Sequence, residues 1–485
     1  MVLSIDQGTS SCRAILFNLQ GETIAIAQKE FTQIYPQAGW VEHDAMEIWD
    51  TQLYVIQEVI TQASISKENI QSIGITNQRE TIVIWDKITG IPIHNAIVWQ
   101  DKRTTNYCQE LTTKMGTTIQ NKTGLIVDSY FSATKIKWIL DTVPHAKTKL
   151  DNNELAIGTI DTWLLWKLTN GKQYATDYTN ASRTMLFNIH TLCWDKELLD
   201  LFEIPESVLP IVKKSADDFG FAAISLLQNI PIHAVIGDQQ GALYGQKCWQ
   251  AGEAKSTFGT GCFMLMNTGK NATLATDGLL TTLAANESGS PCYAIEGAIL
   301  DAGSAISWLR DGLQLIQSYD ELEPLCNSVE NTNGVFFVPA LSGLGSPYWD
   351  MHARGLYIGI SRSTTKAHMV RAVLESIAYQ VKLLLHTMAT NNTIAIKTLQ
   401  IDGGISQNTF LNQYLSNVLA ITIAVPSHSE ITALGAAALA AKYTGHSLLQ
   451  QTSYTLYHPQ KQENNSLDQN YTQWTKAVQR TLNWL

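Results

Sequence analysis

An apolar strand, a turn of glycine and hydroxyl residues, and a second apolar strand occur twice in this chain, once at its start and once past its middle. In the first copy Val2 to Asp6 leads into Gln7-Gly8-Thr9-Ser10-Ser11, and Arg13 to Phe17 follows. In the second, Ala254 to Phe258 leads into Gly259-Thr260-Gly261-Cys262, and Phe263 to Met266 follows. Two related hairpins, each opening one half of the sequence, predict a duplicated fold with a cleft between its halves. At 485 residues the chain also exceeds what one hydrophobic core supports, so two domains are expected on size alone. The boundary is placed near Gly245, giving domains of residues 1–245 and 246–485.

The intervening pattern reads as an α/β layer fold. Gly21 turns the chain into a third strand, Thr23 to Ala27. Asp44, with Glu47 three residues on, is placed to cap a helix carrying Ile48, Leu53, Ile56, Val59 and Ile60. Ile70 to Thr76 reads as a short buried strand. In the second half Thr365 to Met388 reads as a helix, with Val370, Val373, Leu374, Ile377, Val381, Leu384 and Leu385 on one face. Thr432 to Lys442, rich in alanine around Gly435, suits a helix packed closely on its neighbour. From His446 onward the chain is polar and weakly patterned, and only a short final helix is expected.

A formal charge of -10 excludes the basic footprint of a nucleic-acid binder, yet permits a nucleotide pocket built locally from backbone N–H groups. A hydrophobic fraction of 45% argues against disorder. No basic leader with an apolar core opens the sequence, and no apolar run is long enough to cross a bilayer, so a cytoplasmic location without membrane insertion is expected. The seven cysteines are odd in number and scattered, with no CxxC pair, which predicts buried reduced thiols.

A turn that mixes glycine with hydroxyl residues offers close approach and several donors to a phosphate, although hairpins need such residues anyway. Asp6, at the end of an apolar strand beside that turn, is poorly suited to packing and well suited to Mg²⁺ binding through water. Asp402-Gly403-Gly404, between a strand and a helix, has the form of a nucleotide cradle. GxxxxGK[ST] is absent, as is an HRD triplet, which excludes a P-loop NTPase and a protein kinase. Asp238, in Ile236-Gly237-Asp238-Gln239-Gln240-Gly241, is the candidate general base, though spacing alone favours a helix N-cap. Arg79-Glu80 after a strand suits either a solvated loop or the hydroxyls of a small polyol, and Trp99, Tyr130 and Phe263 are core residues by default.

Together these segments resemble the FGGY carbohydrate kinases of the actin-like ATPase superfamily. The resemblance runs through nearly the whole chain. Asn77-Gln78-Arg79-Glu80-Thr81 and Asp177-Tyr178-Thr179-Asn180-Ala181-Ser182-Arg183-Thr184-Met185 are similar to the branch that acts on glycerol, Phe258-Gly259-Thr260-Gly261-Cys262-Phe263 also resembles the family, and the turn Gly8-Thr9-Ser10-Ser11 and Gly237-Asp238-Gln239-Gln240 are shared more widely. The resemblance implies two actin-like, ribonuclease H-like α/β domains around a cleft, and ATP-dependent phosphorylation of glycerol to sn-glycerol 3-phosphate in glycerol catabolism. It implies nucleotide contacts at Thr9, Ser10, Ser11, Arg13, Thr260, Gly303, Gly404 and Asn408. Glycerol would be held by Arg79, Glu80, Tyr130, Asp238 and Gln239, with Trp99 and Phe263 against its carbon face. Asp238 would be the general base, and Mg²⁺ would lie near Asp6 and Asp238 through water. A homodimer or homotetramer is also implied.

Three departures qualify the match. Ser307 stands where a glutamine commonly contacts the nucleotide, and Ser346 replaces a smaller residue before Pro347. Between Phe219 and Pro231 neither a Gly/Arg-rich inhibitor loop nor a phosphorylatable histidine is present. The competing readings are a sister kinase of a ketose, sugar acid or longer polyol, and a non-catalytic actin-like nucleotide-binding protein.

Overall fold

A computed structural model describes residues 1–285, 290–392, 396–450, 453–460 and 464–485. Two large sheets organise it. The strands of the first are β1 (Val2–Gln7), β2 (Ser11–Phe17), β3 (Thr23–Glu30), β4 (Ser72–Asn77) and β5 (Ile232–Gly237). Those of the second are β6 (Ala254–Phe258), β7 (Cys262–Gly269), β8 (Leu280–Ala285), β9 (Pro291–Ile299), β10 (Thr398–Asp402), β11 (Thr422–Pro426) and β12 (Tyr454–Tyr457).

The first sheet has the order β5-β4-β1-β2-β3, with the hairpin strands antiparallel and β1, β4 and β5 parallel. The second repeats that frame as β11-β10-β6-β7-β9, and adds β12 and β8 at its two edges. The repeated hairpin of the sequence is thus the first hairpin of two ribonuclease H-like halves.

The helices that matter for the site are α1 (Ala45–Ala63), α2 (Asp238–Gly245), α3 (Gly303–Asp311), α4 (Lys366–Asn392), α5 (Thr409–Leu419) and α6 (Ile431–Tyr443). Strand periodicity assigns the two faces of the first sheet. Leu3, Ile5, Ile73, Ile75 and Val235 pack with Ile48, Val55 and Ile56 of α1. Val2, Ala234 and Ile236 point the other way, onto Ile431, Leu434 and the alanines of α6. A helix from the second half therefore completes the core of the first. It comes so close that a side-chain carbon on Gly74 would lie 2.4 Å from the Ala436 carbonyl oxygen, and one on Gly435 2.0 Å from that of Gly241. The close packing expected around Gly435 is a contact of backbone on backbone.

Two expectations need correction. The Asp44 carboxylate caps α1 by accepting from the N–H groups of Met46 and Glu47, at 2.8 and 3.4 Å, but Glu47 does not reciprocate. Its carboxylate instead accepts from the backbone and hydroxyl of Thr32, so the cap is one-sided. The weakly patterned tail also contributes β12, an edge strand, before the final helix Asn464–Gln479.

Candidate active site

Three parallel strands of the first sheet deliver the acids and the arginine to one crevice at their carboxyl ends, the usual ligand position in open α/β sheets. Asp6 is the penultimate residue of β1, beside Thr76 of β4, Arg79 and Glu80 follow β4, and Asp238 follows β5. Gly237 occupies the cap position of α2 and Asp238 is its first helical residue, so the aspartate is not spent as an N-cap.

Arg79 is the hub. Its Nε lies 3.2 Å from Asp238 Oδ1, and Nη1 donates to Gln240 Oε1 at 3.2 Å. Nη1 and Nη2 also donate to Glu296 at 2.6 and 3.1 Å. Arg183 completes the network, its Nε donating to Glu80 at 2.6 Å and its Nη2 to Glu296 at 2.8 Å. Every member is buried except the Asp238 side chain, which is 29% exposed. Among these acids only Asp238 has an open face from which to accept a proton.

Burial raises the carboxyl of Asp238 above its ordinary range, opposed mainly by the Arg79 guanidinium. Burial likewise pushes Asp6 up to about 6, against Arg13 and helped by the charges of Glu430 and Asp238. Among the described residues no group of three or more His, Cys, Asp or Glu gathers for a metal. What the crevice offers is hard carboxylate oxygen from Asp6, buried with only Arg13 at 3.9 Å as a cationic partner, and from Asp238 beyond it. That donor set fits Mg²⁺ holding most of its waters.

The apolar wall is present. Trp99 stands edge-on to Tyr130 at 5.6 Å and to Phe263 at 5.9 Å between ring centres. Its indole Nε1 donates to Thr9 Oγ1 at 3.0 Å, tying this wall to the first hydroxyl turn. Beside it the side-chain Oε1 of Gln239 accepts from the buried Lys255 ammonium, which also donates to Thr257 Oγ1 at 2.8 Å.

The second half supplies a cavity of about 1160 Å³, lined among others by Thr260, Gly303, Gly404 and Asn408. The Ala302 and Gly303 N–H groups donate to the carbonyls of Thr260 and Gly259 at 3.0 and 3.1 Å, which seats α3 against the second turn. A side-chain carbon at Gly303 would meet the Gly259 oxygen at 2.4 Å, so glycine is required there. Asn408 caps α5 through Leu411 N at 2.8 Å. Ser307 also lines the cavity, and its hydroxyl pairs with Tyr319 Oη at 3.0 Å. Thr9, Ser10, Ser11 and Arg13 are not part of this lining; they belong to the first half. Arg13 is bound to Glu430, the residue before α6, 3.0 Å away.

Sequence reasoning missed Glu296 and Lys255 altogether and gave Arg183 no role. A signal existed for Glu296: it is the one charge in the apolar strand Tyr293-Ala294-Ile295-Glu296-Gly297-Ala298-Ile299, where an ion needs a partner.

Residues 1–245 match the N-terminal domain of the FGGY family of carbohydrate kinases, and residues 254–443 match its C-terminal domain. The glycerol kinase of Treponema denticola is 51% identical, the match covering 100% of this chain and 99% of that one. That of Francisella tularensis subsp. novicida is 50% identical over 100% and 98%. The structure of Plasmodium falciparum glycerol kinase with ADP superposes with a TM-score of 0.91 at 39% identity, over 99% of this chain and 98% of that one. Xylulose kinase from Lactobacillus acidophilus, with a TM-score of 0.88 at 21% identity over 99% and 98%, shares the fold. The chain belongs to the FGGY family of carbohydrate kinases and, within it, to the glycerol kinases.

Proposed function

We propose that the chain transfers the γ-phosphoryl group of ATP to a terminal hydroxyl of glycerol, with Asp238 as general base, giving sn-glycerol 3-phosphate and ADP. As the hydroxyl oxygen bonds to the γ-phosphorus, its proton passes to the Asp238 carboxylate and the bond from phosphorus to the bridging oxygen of ADP breaks. Arg79, Glu80, Tyr130 and Gln239 hold the hydroxyls, while Trp99 and Phe263 face the carbon edge. Thr9, Ser10, Ser11 and Arg13 hold the phosphates from the first half. Thr260 and Gly303 meet them from the second, with Gly404 and Asn408 towards the adenosine. Asp6 and Asp238 would hold Mg²⁺ through water, and the ion when bound neutralises phosphate charge.

In this reading residues 1–245 carry glycerol and the first turn, and residues 246–485 carry the nucleotide. The enzyme works in the cytoplasm as a homodimer or homotetramer; the described residues include no helix long and apolar enough to cross a membrane.

The observation that carries the assignment is Asp238, the one partly open carboxylate of a buried charge network at the ends of three parallel strands. ADP release over a panel of glycerol, xylulose and gluconate, with the product identified, tests it. Glycerol should be the preferred acceptor, and faster turnover of xylulose or gluconate would reject the reading.

A further inference from the structure

Two buried guanidiniums, Arg79 and Arg183, sit in the acceptor region, and such a pair ordinarily attracts an anion. Glycerol is neutral, whereas its product is an anion, so something must keep the pair from favouring carboxylates and phosphate. Glu296 is placed to do so. It comes from β9 of the second half, with no exposed side-chain surface, and accepts hydrogen bonds from both guanidiniums.

We propose that Glu296 is the specificity-determining residue that makes the acceptor pocket reject anions: by occupying Arg79 and Arg183 it turns a neutral group of charges into a net negative one, so the pocket takes a neutral polyol and lets its phosphorylated product go. This rests on the reading of Arg79, Glu80 and Asp238 as the glycerol site.

Three carboxylates, Glu80, Glu296 and Asp238, face the two guanidiniums. The next charges, Lys255 and Asp402, add one of each sign. With Glu296 these five groups carry a net charge of -1, without it they are neutral, and Arg79 then loses two of its hydrogen bonds at once. Arg183 already has one buried nitrogen, Nη1, without a hydrogen-bond partner among the described residues, so its need for an acceptor would grow. A free anion would satisfy both residues. The strand offers no packing reason for the acid: its neighbours across the sheet are Leu265 and Leu280.

The test is Glu296→Gln, which keeps the shape and removes the charge. With purified full-length enzyme, inhibition constants for sn-glycerol 3-phosphate and glycerate are measured against glycerol, beside KM for glycerol and for ATP. Both anions should bind about tenfold tighter or more, a change of roughly one interaction between neighbouring charges, while KM for ATP stays put. Glu296→Asp should restore exclusion. If Glu296→Gln fails to fold, Arg183→Gln decides, because it removes a positive charge and should weaken binding of both anions. Anion binding unchanged in folded Glu296→Gln, or shifted by the same factor as KM for glycerol, would overturn the proposal, as would tighter anion binding in Arg183→Gln. Wild-type enzyme that ignored glycerol would instead reject the underlying assignment of function.

Discussion

Substituting Gly403 by alanine should weaken ATP without weakening glycerol. Gly403 follows β10 with φ 90° and ψ 173°, a conformation confined essentially to glycine, and forcing alanine into it costs about 1–3 kcal/mol. The added carbon would lie 2.2 Å from the carbonyl oxygen of Phe258, and such overpacking adds typically 1–3 kcal/mol. Phe258 is buried and ends β6, whose Thr257 is paired with Asp402 of β10, so that side has little room to yield. The soft side is the short turn Gly404–Gln407, where a carbon added to Gly404 meets no protein atom within 4 Å. Relief therefore goes into a loop that lines the nucleotide cavity. If about 2 kcal/mol of the strain falls on the bound state, KM for ATP rises roughly 30-fold, and KM for glycerol should stay within about twofold. Steady-state ADP release with each substrate varied in turn reads both, and a thermal melt records the loss of stability. The reasoning fails if Gly403→Ala leaves KM for ATP unchanged, or raises both constants together.

Asp238→Asn should lower kcat by about 10²–10⁴ while ATP binding by calorimetry persists, and undiminished turnover would remove Asp238 as the base. Trp99→Phe keeps an aromatic ring in the edge-on cluster but deletes the hydrogen bond to Thr9; about 1 kcal/mol, or roughly fivefold in kcat/KM, should be lost, and wild-type kinetics would show that this bond does not steady the turn. His43 is fully buried, its Nε2 2.8 Å from Gln33 Oε1, and burial lowers its pKa from 6.5 to about 4. Below 6.5 the unfolded state binds the extra proton, so His43 stabilises the fold at neutral pH and that contribution fades as pH falls towards 4. The loss approaches roughly 3 kcal/mol, and denaturant titrations across this window should show a shallower pH slope in His43→Gln.

Local chemistry made much of this molecule legible. The hydroxyl turns, the strand ends that carry Asp6 and Asp238, and the glycines before α5 are written in a few adjacent residues each, so the cleft and a role for Thr260 and Gly404 could be expected from them, whereas Gly303 and Asn408, which line the same cavity, followed only from the family resemblance. The buried ion network could not. Arg79 and Glu296 are 217 residues apart, and nothing near either one names the other. Lys255 was overlooked for a related reason: in a strand read for its apolar content a lone cation looks like a surface residue, and only the fold shows it turned onto Gln239. Strand β12 escaped because it is an edge strand, only half covered, without clear alternation. The cap at α1 was half right because Thr32, from another segment, competed for Glu47.

The seating of α6 bears on how the polypeptide is made. During synthesis the first sheet emerges with one face bare, and the helix that covers it is among the last segments to leave the ribosome. The N-terminal half must wait, in a state exposing Val2, Ala234 and Ile236, until nearly the whole chain is released. Truncations ending before Ile431 should therefore precipitate or engage chaperones, and the two halves fold as a single cooperative unit despite their internal likeness.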